Sequence, residues 1–134
     1  AGYDTYRDAF NTPAFLAMLP PVEGLQGLDI GCGEGSNTRL LAQRGAEMTA
    51  IDIAEVFVRH AARSETPSSA DASIGYSVAS AVALPFPEVT FDFATGFMSF
   101  MDIPETESVL AEAYRVLKPG GFLQFSITHL CFER

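Results

Sequence analysis

The stretch that decides the fold is LDIGCGEGS, residues 28–36. It is typical of a short buried strand, a turn that contains Gly31, Gly33 and Gly35, and the beginning of a helix. Glycines at such a junction allow a tight turn and let a ligand approach the backbone, while the first turn of the helix offers free N–H groups. The motif therefore predicts a site for a nucleotide-like ligand at the carboxyl end of this strand.

An acidic residue, Asp52, follows at the end of the next predicted strand, where a carboxylate can accept hydrogen bonds from both hydroxyls of a ribose. A second interpretation is that the glycines only tighten the turn and that Asp52 only caps the next helix. The nicotinamide fingerprint G-x-G-x-x-G requires glycine where Ser36 stands, and the spacing here is G-x-G-x-G. The two signals together favour a nucleotide site of a different kind.

Short apolar runs alternate with helical patterns along the rest of the chain, which predicts an α/β fold with a parallel sheet. Pro119 is expected to end the last helix, and Ser36 is expected to cap the first crossover helix. The predicted strands are residues 25–30, 48–53, 73–78, 91–97 and 122–128. The predicted helices are residues 36–44, 54–64 and a segment that starts at Pro104, with a broken leading helix at 4–18 and a polar loop at 65–73.

Composition restricts the class of protein. With 134 residues, 48% hydrophobic and 19% charged, the chain is expected to form one packed domain. A net charge of −9 argues against nucleic acid as a partner. Cys32 and Cys131 are too few for a disulfide framework and lack a paired ligand spacing, so no metal site is predicted. No run is long and apolar enough for a membrane span, and no signal-peptide layout precedes the domain, so we expect a cytoplasmic protein without a membrane partner.

Four segments, in this order, resemble the class I S-adenosylmethionine-dependent methyltransferases, particularly those with a methyltransferase type 11-like domain. They are LDIGCGEGSNTRLLA, the acidic end of MTAIDIA, LPFPEVTFDFATG and YRVLKPGGFLQFSI. The resemblance implies a Rossmann-like three-layer sandwich with a mostly parallel sheet in the strand order 3-2-1-4-5. Because family domains continue with strands 6 and 7, it also implies that residues 1–134 are a single cofactor-binding domain that is incomplete at its carboxyl end.

The same resemblance implies S-adenosylmethionine as cofactor and assigns residues to it. Gly31, Cys32 and Gly33 would contact its methionine part, and Asp29 would lie beneath the turn and orient the amino group. The acid on strand two, Asp52, would hold the ribose hydroxyls. The neighbouring Ile53 would pack against the adenine.

The same resemblance assigns roles to further residues. Ser80 stands where family members often have an aspartate that accepts from the adenine amino group, and its hydroxyl is a weaker acceptor, so adenine recognition would rest mainly on the Ala81 N–H. Phe97 and Met98 would form an apolar floor beside the sulfonium.

The two ends of the chain add three candidates. Tyr3 and Tyr6 resemble tyrosines that close over the cofactor carboxylate, and the alternative is simple packing of an amino-terminal arm. His129 follows strand five and is a candidate general base, with a loop histidine bonded to backbone as the alternative.

The predicted activity is direct in-line transfer of a methyl group to a small molecule, without an essential acid or base. A second hypothesis is a module that binds the cofactor without catalysing transfer, and a third is a nicotinamide-dependent oxidoreductase. The strand FLQFSI would form an exposed apolar edge, which predicts self-association through strand five.

Overall fold

The computed structural model describes residues 12–63, 74–97 and 104–126. Its helices and strands, in chain order, are α1 (Thr12–Met18), β1 (Gln26–Ile30), α2 (Ser36–Gln43), β2 (Glu47–Asp52), α3 (Glu55–Arg63), β3 (Gly75–Val78), β4 (Phe91–Phe97), α4 (Thr106–Val116) and β5 (Leu117–Ser126). The predicted helix start at 4–11, the loop at 65–73 and the strand end at 127–128 lie outside the described residues. Among the helices described, none has the length and apolar character needed to cross a membrane.

The five strands form one sheet in the order β3-β2-β1-β4-β5, and every neighbouring pair is parallel. The predicted fold class and strand order are confirmed. Because β1 lies at the centre, its carboxyl end is flanked by the carboxyl ends of β2 and β4. Residues that follow these three strands therefore share one edge of the sheet, where open α/β sheets bind ligands.

Helices cover both faces of the sheet and bury two apolar clusters. On one face, Val109 and Val116 of α4 pack with Leu28 and Ile30 of β1. On the other face, Leu41 of α2 packs in the cluster whose other members include Met48, Ala50 and Phe93. This alternation of buried side chains along each strand gives three layers, with the sheet in the middle.

The first crossover helix begins differently from the prediction. Gly35, not Ser36, occupies the N-cap position, with a left-handed φ of +86° and no side-chain cap bond, and Ser36 is already helical. The Gly35 carbonyl accepts the Arg39 N–H at 2.9 Å. A Cβ at Gly35 would lie 3.0 Å from the Tyr76 hydroxyl and 3.1 Å from the Ala61 Cβ, so both conformation and packing favour glycine here. The cap prediction was wrong because the turn needs a left-handed residue directly before the helix.

The last helix also departs from the prediction at both ends. It starts at Thr106, two positions after Pro104, and ends at Val116 rather than at Pro119. Leu117 is already extended and pairs with Phe91 of β4. The next paired residue of β5 is Phe122, opposite Phe93, so residues 118–121 form a bulge that contains Pro119 and Gly120. The proline therefore lies within an irregular strand and does not end the helix.

Candidate functional site

The glycine loop, residues 31–35, lies at the carboxyl edge of the sheet between β1 and α2. The amides of Gly31 and Cys32 both donate to the carbonyl of Ile51 on β2, at 2.9 and 2.8 Å. Gly33 has a left-handed φ of +56°, and a Cβ placed there would meet no atom within 4 Å. The protein thus holds the loop from the β2 side and leaves the space beside Gly33 open to a ligand.

Asp52, the last residue of β2, connects this loop to α3. One carboxylate oxygen accepts the Gly33 N–H at 2.9 Å, and the other accepts the Ala54 N–H at 2.9 Å. Each oxygen of an ionised carboxylate has two lone pairs, so each keeps one for an additional donor. The two roles that the sequence suggests for Asp52, helix capping and ribose binding, are therefore compatible. Its carboxylate binds the chain before α3 and can still accept hydrogen bonds from two ligand hydroxyls.

Asp29 lies at the end of β1 with only 3% of its surface exposed. Its carboxylate accepts the Thr38 hydroxyl of α2 at 2.5 Å and the Thr95 hydroxyl of β4 at 3.1 Å. Burial raises the pKa of Asp29 to about 6, the two hydroxyl donors oppose this rise, and the charge of Asp52 adds to it. The carboxylate therefore links β1, α2 and β4 directly behind the glycine loop.

The two threonines were not anticipated from the sequence. Thr95 is the parallel partner of Asp29 in the β1–β4 register, and Thr38 stands in the first turn of the helix that follows the glycine loop. The Thr38 hydroxyl in that first turn was the sequence feature that could have indicated a bond to Asp29. That Asp29 orients the amino group of a cofactor stays a prediction, because the bonds of its carboxylate are made to hydroxyls of the chain.

The surroundings of Cys32 favour its neutral thiol form. Burial raises the pKa of its thiol to about 12, helped by the charges of Asp29 and Asp52, and the thiol contacts the Gly33 carbonyl at 3.6 Å. A neutral thiol is neither a good nucleophile nor a metal ligand. Within the described ranges, no group of three histidines, cysteines or acidic residues could hold a metal ion.

The chain after β3 lies at the same edge, and we call residues 79–83 the base turn, after the adenine contact that the resemblance implies for Ser80 and Ala81. Its first amide, Ala79 N–H, donates to the Asp52 carbonyl at 3.1 Å, and Ala83 N–H donates to the Ser80 carbonyl at 3.2 Å. The Ser80 hydroxyl accepts the Val82 N–H at 3.3 Å, which already uses part of its acceptor capacity. The base turn therefore lies against the residue that the sequence predicts as ribose ligand.

Ile53 lies at the same edge, immediately after Asp52, and its side chain is 76% exposed. An aliphatic side chain with this exposure offers a surface for a flat apolar ring. Phe97 ends β4 at this edge as well. Tyr3, Tyr6, Met98 and His129 lie outside the described residues, and their roles stay predictions.

Two residues of α4, Glu112 and Arg115, bind the main chain directly after the base turn, and we call this pair the α4 clamp. Glu112 accepts the Leu84 N–H at 2.7 Å, and Arg115 donates to the Leu84 carbonyl at 3.0 Å and to the Phe86 carbonyl at 2.9 Å. The two side chains also bond to each other at 2.6 Å. The Arg115 hydrogen bond holds the pKa of Glu112 below its usual value, so the pair is ionised at neutral pH. The sequence offered no signal for this clamp, because its partners are main-chain atoms.

A depression of about 480 Å³ lies at the opposite edge of the sheet, at the amino ends of the strands. It is lined by Gln26, Glu47, Met48, Thr49, Gly75, Phe86, Thr90 and Phe91. Glu47 is the one charged side chain among these lining residues. None of the residues that the sequence predicts as ligands lies there.

Comparison with known proteins shows the family of the chain. Residues 28–125 match the family model described as Methyltransferase domain. The chain belongs to this family. The match of this methyltransferase domain begins in β1 and ends in β5, so it contains the glycine loop, Asp52, the base turn and the α4 clamp. The resemblance stated from the four sequence segments is confirmed.

Among curated proteins, the methyltransferase domain is 38% identical over 112 residues to squalene methyltransferase 1 of Botryococcus braunii, covering 81% of this chain and 28% of that protein. It is 37% identical over 103 residues to a ubiquinone biosynthesis O-methyltransferase of Pseudomonas entomophila, covering 77% and 44%. The chain thus spans less than half the length of both curated relatives.

Two solved structures are similar as well. One is an S-adenosylmethionine-dependent methyltransferase from Mesorhizobium loti, with a TM-score of 0.79, 30% identity and coverage of 87% of this chain and 53% of that one. The other is the [4+2]-cyclase SpnF, with a TM-score of 0.77, 31% identity and coverage of 84% and 42%. The second name describes a reaction other than methyl transfer, so membership of the fold does not by itself define the reaction.

Proposed function

We propose that the chain binds S-adenosylmethionine at the carboxyl edge of β1, β2 and β4. We also propose that this methyltransferase positions a small-molecule acceptor for direct in-line methyl transfer. The observation that carries the proposal is the carboxylate of Asp52, which keeps a free lone pair on each oxygen beside the open space at Gly33. Two vicinal hydroxyls of a ribose match this pair of acceptors.

The charges of the site fit the cofactor. Asp29 and Asp52 lie behind and beside the glycine loop, and both carboxylates favour a ligand with positive charge. The amides of Gly31 and Cys32 are already bonded to Ile51, so a ligand there meets carbonyl oxygens and Cα atoms, which suits an ammonium group. A nicotinamide dinucleotide, with its pyrophosphate, is disfavoured at the same place.

The remaining roles extend this placement. We assign the exposed face of Ile53 to the adenine ring, Ser80 and Ala81 to its polar edge, and Phe97 with Met98 to the floor beside the sulfonium. Tyr3 and Tyr6 are assigned to the cofactor carboxylate.

The cofactor, when bound, supplies a methyl group that is already activated for displacement. The protein then contributes position and exclusion of water, which are worth several kcal/mol without an acid or base. His129 is the candidate base for acceptors that must lose a proton. This assignment leaves transfer independent of any single titrating side chain in the described ranges.

For the acceptor we propose a small organic molecule in the cytoplasm. The named relatives act in squalene and ubiquinone chemistry, which supports a small-molecule class and leaves oxygen and carbon acceptors open. A panel that includes phenols, enols and alkenes separates these acceptor atoms by product mass. Methylation of peptides or oligonucleotides in place of such molecules would contradict this part of the proposal.

We also propose self-association through β5. In the described sheet β5 pairs with β4 along one side only, and Phe125 is 42% exposed. An unpaired strand edge is a template for another chain. Light scattering over a concentration series should detect dimers or larger species, and a strictly monomeric chain at the highest concentration would refute this.

The second candidate is cofactor binding without transfer, and the similarity to a cyclase supports it only in that the name of that protein describes a reaction other than methyl transfer. Calorimetric titration with S-adenosylhomocysteine tests binding, with NADH as the control ligand. An assay with S-adenosylmethionine carrying a labelled methyl group then tests transfer to the acceptor panel. Binding with transfer supports the proposal, binding without transfer to any class supports the second candidate, and binding of NADH alone would restore the oxidoreductase.

A further inference from the structure

The α4 clamp binds both polar main-chain atoms of one residue, Leu84. The N–H of Leu84 goes to the negative member, Glu112, and its carbonyl goes to the positive member, Arg115. Leu84 itself is 5% exposed and packs in the cluster that contains β1 and α4 residues. The peptide groups on either side of Leu84 are therefore fixed in orientation as well as in position.

Residues 79–83 lie between two fixed points. At one end, Ala79 N–H is bonded to the carbonyl of Asp52, and at the other end Leu84 is held by the clamp. Downstream of the clamp, Val89 N–H donates to the Arg115 carbonyl at 3.0 Å and Thr90 N–H to the Val116 carbonyl at 2.7 Å. The connection from β3 to β4 is thus bonded to α4 from Leu84 onward, and the short turn before Leu84 has little freedom once both of its ends are fixed.

We propose that Glu112 and Arg115 are positioning residues that set base specificity: by fixing Leu84 they hold the base turn so that it accepts a 6-aminopurine and rejects a 6-oxopurine. The inference rests on the proposed function, which places the base at Ser80 and Ala81. A main-chain N–H and a hydroxyl oxygen at fixed positions recognise the acceptor and the amino donor on the adenine edge. Hypoxanthine presents an N–H and a carbonyl there instead. The Ser80 hydroxyl can turn to donate to the carbonyl, but the Ala81 N–H then faces a ring N–H, so this pair no longer matches.

Both members of the clamp are required for this role, because a donor and an acceptor are needed to fix one peptide unit on both sides. Arg115→Gln removes the bonds to the two carbonyls. Glu112→Gln keeps an acceptor of the same size for Leu84 N–H but removes the charge that orders Arg115. Neither residue belongs to the proposed set of ligand contacts, so a loss of base selectivity in these variants is transmitted through the turn.

The experiment compares the affinities of S-adenosylhomocysteine and S-inosylhomocysteine, in which hypoxanthine replaces adenine, by calorimetry on the whole chain. The matched control is Arg59→Gln, which removes the exposed ion pair with Glu55 on α3 and leaves the α4 clamp unchanged. We expect the parent and Arg59→Gln to prefer adenine equally. In Arg115→Gln the preference should fall about three- to tenfold, the equivalent of about one hydrogen bond.

A third ligand distinguishes positioning from general weakening. The ratio of affinities for S-adenosylhomocysteine and its 2′-deoxyribose analogue reports on Asp52 and should be unchanged in both clamp variants. Equal losses for all three ligands would mean a merely structural role and would overturn the inference. If Arg115→Gln does not fold, judged by circular dichroism, Glu112→Gln decides by the same ratio.

The clamp inference and the proposed function are contradicted by different results. A parent chain that binds S-adenosylhomocysteine but prefers neither base, or clamp variants that keep the full preference, would overturn the clamp inference alone. A parent chain that binds none of the three ligands would overturn the proposed function, and the inference with it.

Discussion

The glycine loop and the base turn lie at the same edge of the sheet, yet they are held in different ways. The glycine loop is held by Asp52, which ends β2 and accepts the Gly33 N–H, while Asp29 binds the helix that follows the loop through the Thr38 hydroxyl. The base turn leads to Leu84, which is held by side chains 28 and 31 positions farther along the chain. A short motif and the acid at the end of the next strand predict the first arrangement, whereas the second exists only after α4 has packed on the sheet. The comparison indicates that a sequence motif identifies one half of the site, whereas the clamp that holds the other half has no sequence signal.

The largest effect is expected at Asp52. Asp52→Ala removes the acceptor for the Gly33 and Ala54 amides together with the two bonds proposed for the ribose. Hydrogen bonds to a charged group are worth roughly 1.5–3 kcal/mol each, so the loss of two should lower the affinity for S-adenosylhomocysteine by about two to four orders of magnitude.

Asp52→Asn is the matched variant, since it keeps the size of the side chain but has one acceptor oxygen. Its loss of affinity in calorimetry should lie between the parent and the alanine variant. An alanine variant that binds within about threefold of the parent would break the claim that Asp52 organises this half of the site.

The second largest effect concerns the contribution of Asp29, in the same half of the site, to the stability of the fold. Because the pKa of Asp29 is raised from 3.8 to about 6 in the fold, the folded state binds this proton more tightly than the unfolded chain does. The free energy of unfolding therefore falls as pH rises from about 4 to about 6, by about 3 kcal/mol for a shift of about two pKa units. Asp29→Asn lacks this contribution, so urea unfolding should give a stability difference, variant minus parent, that grows by about 3 kcal/mol over this pH range.

The opposite slopes of other carboxyls do not affect this test. The pKa values of Asp92 and Glu112 are lowered by their hydrogen bonds, so both groups lose stabilisation as pH falls, equally in parent and variant. The difference between the two proteins isolates Asp29. A difference that is constant from pH 4 to pH 7 would show that the buried carboxylate does not titrate in this range.

The smallest effect is expected in the connection held by α4. Val89 adopts a left-handed φ of 56°, which is costly for a β-branched residue, and its side chain is 52% exposed. Val89→Asn should raise the free energy of unfolding by about 1 kcal/mol, because asparagine tolerates this conformation.

Val56→Asn on α3 is the matched control, since Val56 is 69% exposed and helical. It should give no gain in urea unfolding. A stabilised control, or a destabilised Val89→Asn, would argue that packing at Val89 outweighs its backbone strain.

These contrasts also explain what could be predicted from the sequence. The five strands follow from apolar runs, and the position of Asp52 follows from the glycine motif and the acid at the end of the next strand. The strand order follows from the resemblance to the methyltransferase family. The Ser36 cap was wrong because the cap preference of serine gave way to the left-handed turn that Gly35 provides. The helix stop at Pro119 was wrong because pairing of Leu117 with β4 begins the strand earlier.

The interactions that were missed are side-chain bonds between distant elements. Thr38 and Thr95 meet Asp29 only when α2 and β4 pack around β1, and neither threonine carries a distinctive pattern. Glu112 and Arg115 look like an ordinary helical ion pair with three-residue spacing. Their function depends on the carbonyls and the amide that they reach, and side-chain patterns do not report on main-chain partners.

The most direct test of the account is to map where S-adenosylhomocysteine binds, by following backbone amide resonances of the ¹⁵N-labelled chain during a titration. The account predicts that the changes cluster at residues 31–35, 52–54 and 79–83. Amides at the amino ends of the strands, such as Gln26, Glu47 and Thr90, should remain unchanged. Changes that cluster around those amino ends, with the glycine loop and the base turn unaffected, would contradict it.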